Sequence, residues 1–69
     1  MKALGTAQGI AESIMGRRRD VNKGVTVQEA TSLAAEIVER RLSGKEQLQA
    51  MTDDNGAYVM RGSKKIYIQ

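Results

Sequence analysis

The chain has 69 residues, with eleven Lys or Arg against eight Asp or Glu, so its formal net charge at pH 7 is +3. It contains no Cys, His, Pro, Trp or Phe, which excludes disulfide scaffolds, zinc sites built on His or Cys, and catalysis by a His base or a Cys nucleophile. So short a chain buries only about 60% of the surface that its unfolded form exposes. We therefore predict one small domain, 1–69, that gains stability by forming a homodimer.

The first predicted element is an amphipathic helix near 5–17. Its apolar residues recur at steps of three and four, which places them on one face of a helix with a 3.6-residue period. After Gly16 the pattern weakens, and the segment "DVNKG" at 20–24 supplies the Asn and Gly of a connecting loop. The apolar face consists of Ala7, Ile10, Ala11, Ile14 and Met15.

A second, longer helix is predicted near 26–43. Thr26 and Glu29 have the spacing of a capping box, in which each side chain bonds to the backbone N–H of the other. Val25 and Ala30 have the spacing of the hydrophobic staple that accompanies such a start. The predicted apolar stripe consists of Val27, Ala30, Leu33, Ala34, Ile37, Val38 and Leu42.

A short third helix is predicted near 45–51. Gly44 is a suitable end for the second helix, and Ser43 with Glu46 has the spacing of another capping box. The segment "DDNG" at 53–56 then interrupts any regular element.

The C-terminal "AYVMRGSKKIYIQ", 57–69, predicts an antiparallel β-hairpin. Gly62 and Ser63 suit a two-residue turn of type II′, because glycine occupies the first position. This turn fixes the register and divides the side chains between two faces. The predicted pairs are Arg61 with Lys64, Met60 with Lys65, Val59 with Ile66, Tyr58 with Tyr67 and Ala57 with Ile68, and the apolar face toward the helices consists of Ala57, Val59, Ile66 and Ile68. The fold class is therefore predicted as α+β: two main helices, a short third helix and a C-terminal antiparallel β-hairpin.

Basic residues form two clusters that are candidate phosphate contacts. One follows the first helix and the other lies at the hairpin tip. Each cluster also has a purely structural explanation, since cations complement the dipole at a helix C-terminus and charged residues protect an edge strand from pairing with other chains. The candidate nucleic-acid-binding residues are Arg17, Arg18, Arg19, Lys23, Arg61, Lys64 and Lys65.

Both aromatic residues of the chain lie on the hairpin. Tyr58 and Tyr67 are predicted to face each other across the strands, on the same side as Met60. They either pack internally, with the hydroxyl groups in water, or form an anchor for a partner protein. Tyr58, Met60 and Tyr67 are thus the candidate partner-binding residues.

No motif for catalysis, metal binding or a cofactor is present, so we expect a binding protein and not an enzyme. The charge favours a nucleic-acid-binding regulatory module, in which the basic clusters contact phosphates. The alternative is a small regulator or inhibitor that docks a partner protein through the hairpin. No apolar run reaches the length needed to span a membrane, and a cytoplasmic location is expected.

Overall fold

The computed structural model describes residues 6–68 and has an α+β fold, as predicted. A helix, α1 (Ala7–Glu12), continues as a π-helical segment (Ser13–Arg17), and a second helix, α2 (Val27–Ser43), follows a loop. Three strands come next: β1 (Met51–Asp53), β2 (Gly56–Arg61) and β3 (Lys64–Tyr67). They form one antiparallel sheet in the order β1-β2-β3.

The first helix changes its hydrogen-bonding pattern halfway along. Thr6 caps its start, where the hydroxyl oxygen accepts from the Gly9 N–H at 3.0 Å. At the other end the Arg18 N–H bonds to the Ser13 carbonyl oxygen, five residues back, at 2.9 Å. This i→i+5 bond defines the π-helical segment and leaves the carbonyl oxygen of Ile14 without its usual helical donor. The predicted helix start at residue 5 lies outside the described residues.

Asn22, in the loop before α2, supplies the missing donor. Its side-chain Nδ2 donates to the carbonyl oxygens of Ile14 and Tyr67, both at 2.9 Å, and its Oδ1 accepts from the Tyr67 N–H at 2.8 Å. Asn22 is only 3% exposed. The amide therefore joins the first helix to the last strand, and it bonds to the outer edge of β3 as the backbone of a fourth strand would.

Helix α2 begins and ends as the sequence predicts. The Thr26 hydroxyl oxygen accepts from the Glu29 N–H at 3.1 Å, while Glu29 Oε1 accepts from the Thr26 N–H at 2.9 Å. Gly44 terminates the helix with a φ of 72°, a left-handed conformation that favours glycine. The predicted stripe is too long at both ends, because Val27 and Leu42 are 68% and 84% exposed.

The short third helix predicted near 45–51 is not present. Residues 45–50 have no regular secondary structure and 51–53 form β1. The Ser43 hydroxyl, which would cap that helix, instead donates to the carbonyl oxygen of Glu39 at 2.8 Å. Pairing with β2 gives the backbone of 51–53 its partners, with Met51 opposite Tyr58.

The predicted hairpin register is confirmed. All four pairs from Arg61↔Lys64 to Tyr58↔Tyr67 occur, and the Ile68 N–H donates to the Ala57 carbonyl oxygen at 2.9 Å. Gly62 has a φ of 63°, and no described non-glycine residue has a positive φ. Of the two turn residues, only Gly62 therefore has a positive φ. This matches a type II′ turn and not a type I′ turn, in which both central residues have a positive φ.

The core lies between the helices and the inner face of the sheet. α1 and its π-helical continuation contribute two isoleucines, the loop before α2 contributes Val25, α2 contributes four residues, and β2 and β3 contribute one each. The buried cluster consists of Ile10, Ile14, Val25, Ala30, Leu33, Ala34, Ile37, Val59 and Ile66.

Candidate functional site

Two of the three cations at the hairpin tip, Arg61 and Lys64, point toward the helices. Because side chains alternate along a strand, Arg61 and Lys64 share the inner face of the sheet. Arg61 forms an ion pair with Glu36 of α2. The Nζ of Lys64 lies 2.9 Å from Glu29 Oε1 and donates to the carbonyl oxygen of Gly24 at 2.7 Å. Both cations already have partners within the fold.

Glu29 serves both the start of α2 and the hairpin tip. Its carboxylate accepts from the backbone of Thr26 and from Lys64. The Thr26 N–H, and after it the Lys64 ammonium, lower the pKa of Glu29. The ionised carboxylate is thus the form that the folded chain stabilises.

The outer face of the sheet carries a bonded cluster of Asp53, Tyr58, Lys65 and Tyr67. The Tyr67 hydroxyl donates to Asp53 Oδ2 at 2.6 Å, and Lys65 Nζ lies 3.1 Å from the same oxygen. The two rings have centroids 5.4 Å apart at an interplanar angle of 57°, and Lys65 Nζ lies 4.7 Å from the centre of the Tyr58 ring. Tyr67 is only 6% exposed. Tyr67 is therefore buried by packing within the fold, whereas Tyr58 beside it is half-buried.

The electrostatics of this outer-face cluster favour its charged forms. The hydroxyl of Tyr67 is the main cause that lowers the pKa of Asp53, and the backbone N–H of Asn55, at 2.8 Å from Oδ1, adds to it. The hydrogen bond to Asp53 is in turn the main cause that raises the pKa of Lys65.

Of the predicted partner-binding residues, Tyr58 and Met60 are half-buried on this outer face. Met60 lies opposite Lys65. With Tyr67 buried beside them, the exposed part of this surface is smaller than the hairpin pattern alone suggests.

The basic cluster after α1 has a different environment. Arg17, Arg19 and Lys23 are exposed, and none forms an ion pair with a carboxylate of residues 6–68. Arg18 is half-buried and donates through Nη2 to the carbonyl oxygen of Asn55 in the β1–β2 turn. Its Nε is buried and has no hydrogen-bond acceptor in the described part of the chain.

Two of these arginines, together with a third from α2, line a groove of about 480 Å3. Arg17 and Arg18 line it from the π-helical side and Arg41 lines it from α2. The remaining lining is mostly aliphatic and includes no carboxylate. It consists of Ile10, Ser13, Ile37, Gln47, Leu48, Val59 and Ile68. We call this feature the arginine groove.

The π-helical segment aligns the arginines with the groove. In i→i+5 geometry, residues four and five positions apart lie on the same side of the helix. Ser13, Arg17 and Arg18 have this spacing, and all three line the groove. In a regular α-helix Arg18 would lie well away from the side of Ser13.

Arg41 was not among the predicted site residues. It follows Ile37 by four positions on α2, so the two share a side of the helix and both line the groove. The four-residue spacing is visible in the sequence. That residues 47 and 48 approach the groove is not visible there, because the sequence predicts a helix at 45–51.

The structure thus separates the predicted basic site into two parts. The hairpin cations are ion-paired with Glu29, Glu36 and Asp53, whereas Arg17 and Arg18 line the groove.

Within residues 6–68 no His, Cys, Asp or Glu side chains are grouped so as to hold a metal ion. No helix in this part of the chain is long and apolar enough to cross a membrane.

Comparisons with known proteins add no family to this description. No family model, curated protein or solved structure gives a significant match to this chain.

Proposed function

We propose that this protein is a small non-enzymatic, nucleic-acid-binding regulatory module whose phosphate contacts come from the arginine groove and the loop after it. The observation that supports the proposal is the convergence of Arg17, Arg18 and Arg41 at one site that no carboxylate lines. Guanidinium groups bind phosphate oxygens in pairs of parallel hydrogen bonds. Arg19 and Lys23, exposed and without an ion pair in the described residues, extend the positive surface along the chain.

The expected binding is largely independent of base sequence. Phosphate contacts position a protein on nucleic acid, whereas base readout needs side chains that reach the grooves. The two helices are joined by the loop 18–26 and not by a tight helix-turn-helix connection.

The test compares two pairs of charge substitutions by fluorescence anisotropy. Labelled random-sequence duplex DNA, single-stranded DNA and RNA are titrated with protein at several salt concentrations. We expect the double variant Arg17→Gln/Arg41→Gln to weaken binding to all probes and to reduce the slope of log K against log salt by about 1–2, since each phosphate contact contributes about 0.7–0.9. Lys45→Gln is the matched control for the single variant Arg41→Gln, because it also removes one exposed charge but lies outside the groove.

The hairpin pair Arg61→Gln/Lys64→Gln distinguishes the two basic clusters. Because both cations are already ion-paired, we expect this variant to be less stable but to bind with a nearly unchanged salt slope. The opposite ranking, with the groove variant equal to the parent and the hairpin variant impaired, would refute the proposed site.

A second candidate function is docking of a partner protein on the outer face of the sheet. The half-buried Tyr58 and Met60 favour it, because partly exposed aromatic and methionine side chains are enriched at interfaces. In that case Tyr58→Ala weakens the complex and Arg17→Gln does not. Tyr67→Ala is a poor probe, since it also removes the hydrogen bond to Asp53.

We propose that the protein forms a homodimer through an apolar surface on α1 and α2. Leu42 is exposed at the end of α2 beside Val38, and both line a shallow surface with Ala7 and Ala35. Isologous pairing of this patch across a twofold axis would cover these side chains. We also propose a cytoplasmic location, for which the absence of cysteine is suitable.

A further inference from the structure

The lining of the arginine groove combines positively charged side chains with an aliphatic surface. A nucleic-acid phosphate backbone would contact the charges but has no apolar group to cover the aliphatic surface. Three arginines, Arg17, Arg18 and Arg41, line a site whose other lining is chiefly aliphatic. Bases bound by proteins stack on aromatic rings or form hydrogen bonds at their edges. The groove has no aromatic residue in its lining, so nucleic-acid binding leaves its aliphatic part unexplained.

The aliphatic part is continuous with the core. Ile10 and Ile37 are buried, and Leu48 and Ile68 pack against the same cluster from its margin. Apolar surface at the bottom of a groove is stabilised when an apolar ligand excludes water from it. The volume, about 480 Å3, lies within the range of about 300–1,000 Å3 that is typical of small-molecule sites.

Of the residues that line the groove, Arg18 has a hydrogen-bond donor without an acceptor in the described part of the chain. Arg18 has one acceptor, the carbonyl oxygen of Asn55, and its buried Nε has none in the described residues. A buried donor without an acceptor is costly, so a bound acceptor that reaches Arg18 is favoured. An anionic group between the arginines would supply acceptors and compensate three positive charges at once.

We propose that the arginine groove binds a single-chain amphiphile, an alkyl carboxylate or alkyl phosphate. The anionic head lies between Arg17, Arg18 and Arg41, and the alkyl chain lies along Ile37 and Leu48. This binding does not depend on the nucleic-acid proposal, although both use Arg17 and Arg41. Occupation by an amphiphile would therefore compete with phosphate contacts at the same arginines.

The alkyl chain gives the proposal a quantitative signature. Each methylene group removed from water strengthens binding by about fourfold. Affinity should therefore rise through octyl, decyl and dodecyl phosphate and level off once the groove is filled. Isothermal titration calorimetry below the critical micelle concentration measures this series, with the corresponding alkyl carboxylates as a second set of heads.

Three further probes separate head and tail. Inorganic phosphate tests the head alone and should bind far more weakly than dodecyl phosphate. Dodecyl maltoside and dodecyltrimethylammonium carry the same tail with a neutral or a cationic head, and both should bind at least tenfold more weakly. Equal affinity for all three dodecyl compounds would overturn the proposal, because it would show apolar adsorption without recognition of the head.

Substitutions locate the site. Arg41→Gln should weaken dodecyl phosphate by about tenfold or more, the effect of losing one charge-assisted hydrogen bond, and leave dodecyl maltoside unaffected. Its control, Lys45→Gln, removes the same charge from an exposed residue outside the groove. Leu48→Ala should reduce the gain in affinity for each added methylene group of the ligand. Val27→Ala, at an exposed position on α2, should leave that gain unchanged.

Two results would refute the site. If Lys45→Gln weakens binding as much as Arg41→Gln, the head is attracted by net charge and not by the groove. If the protein binds vesicles of phosphatidylglycerol but no monomeric alkyl phosphate or carboxylate, the basic surface recognises a membrane and the groove holds no chain. Neither result affects the oligonucleotide titrations, so the nucleic-acid proposal is tested separately.

Discussion

Replacing Asn22 by Ala should destabilise the protein more than its position in a loop suggests. The side chain is buried and satisfies three backbone groups, the carbonyl oxygens of Ile14 and Tyr67 and the N–H of Tyr67. A buried polar group that loses its partner costs about 1–3 kcal/mol. A water molecule that enters the vacated space recovers part of this, so we expect a loss of about 3–4 kcal/mol in the free energy of unfolding. A domain of this size is stable by only about 3–10 kcal/mol.

Urea denaturation followed by far-UV circular dichroism measures this loss. The matched control is Asn55→Ala, since the Asn55 side chain is exposed and forms no hydrogen bond within the described residues, and a change within about 0.5 kcal/mol is expected. Asn22→Asp keeps the acceptor but loses both donors, so it should also be destabilised at neutral pH. A loss below about 1 kcal/mol for Asn22→Ala would show that the amide does not hold β3 to the helix, and the reasoning from unsatisfied groups would fail.

Two other predictions concern the outer-face cluster and the apolar patch on α2. Hydrogen bonds from Tyr67, Asn55 and Lys65 lower the pKa of Asp53 from its usual 3.8, so its ionised form stabilises the fold above that pH and this stabilisation is lost as the pH falls. Melting temperatures recorded from pH 7 to pH 2 should fall less steeply in acid for Asp53→Asn than for the parent, and identical acid limbs would contradict the assignment. Light scattering at high protein concentration should give a dimer mass for the parent and a monomer mass for Leu42→Glu; a monomeric parent would exclude the proposed dimer.

The sequence predicts those parts of the fold that depend on neighbours along the chain. The capping box of Thr26 and Glu29, and the hairpin register around Gly62, each involve groups a few residues apart. Turn geometry then fixes which side chains share a face. The same alternation places Arg61 and Lys64 on the inner face, but their partners on α2 depend on how the sheet lies against the helix, which no local pattern specifies.

The features that the sequence does not predict depend on contacts between one element and another, which the pattern within each element does not specify. The π-helical segment accompanies the bond from Asn22 to Ile14, and β1 forms because β2 offers a backbone edge to Met51. The capping pattern of Ser43 and Glu46 has the same spacing as that of Thr26 and Glu29, although only the latter has the accompanying hydrophobic staple. The arginine groove has the same origin, since it needs Arg41 brought beside the end of the first helix.

The hydrogen bonds that join the loop after α1 to later parts of the chain also affect the order in which the protein folds during synthesis. Arg18 and Asn55 are separated by 37 positions, Gly24 and Lys64 by 40, and Asn22 and Tyr67 by 45. Closing such loops costs chain entropy before any of these bonds can form, which slows folding relative to a purely local helical bundle. On the ribosome, α2 can form early, but Asn22 can bond to the backbone of Tyr67 only after β3 has been made. Native closure therefore occurs only after β3 has left the exit tunnel.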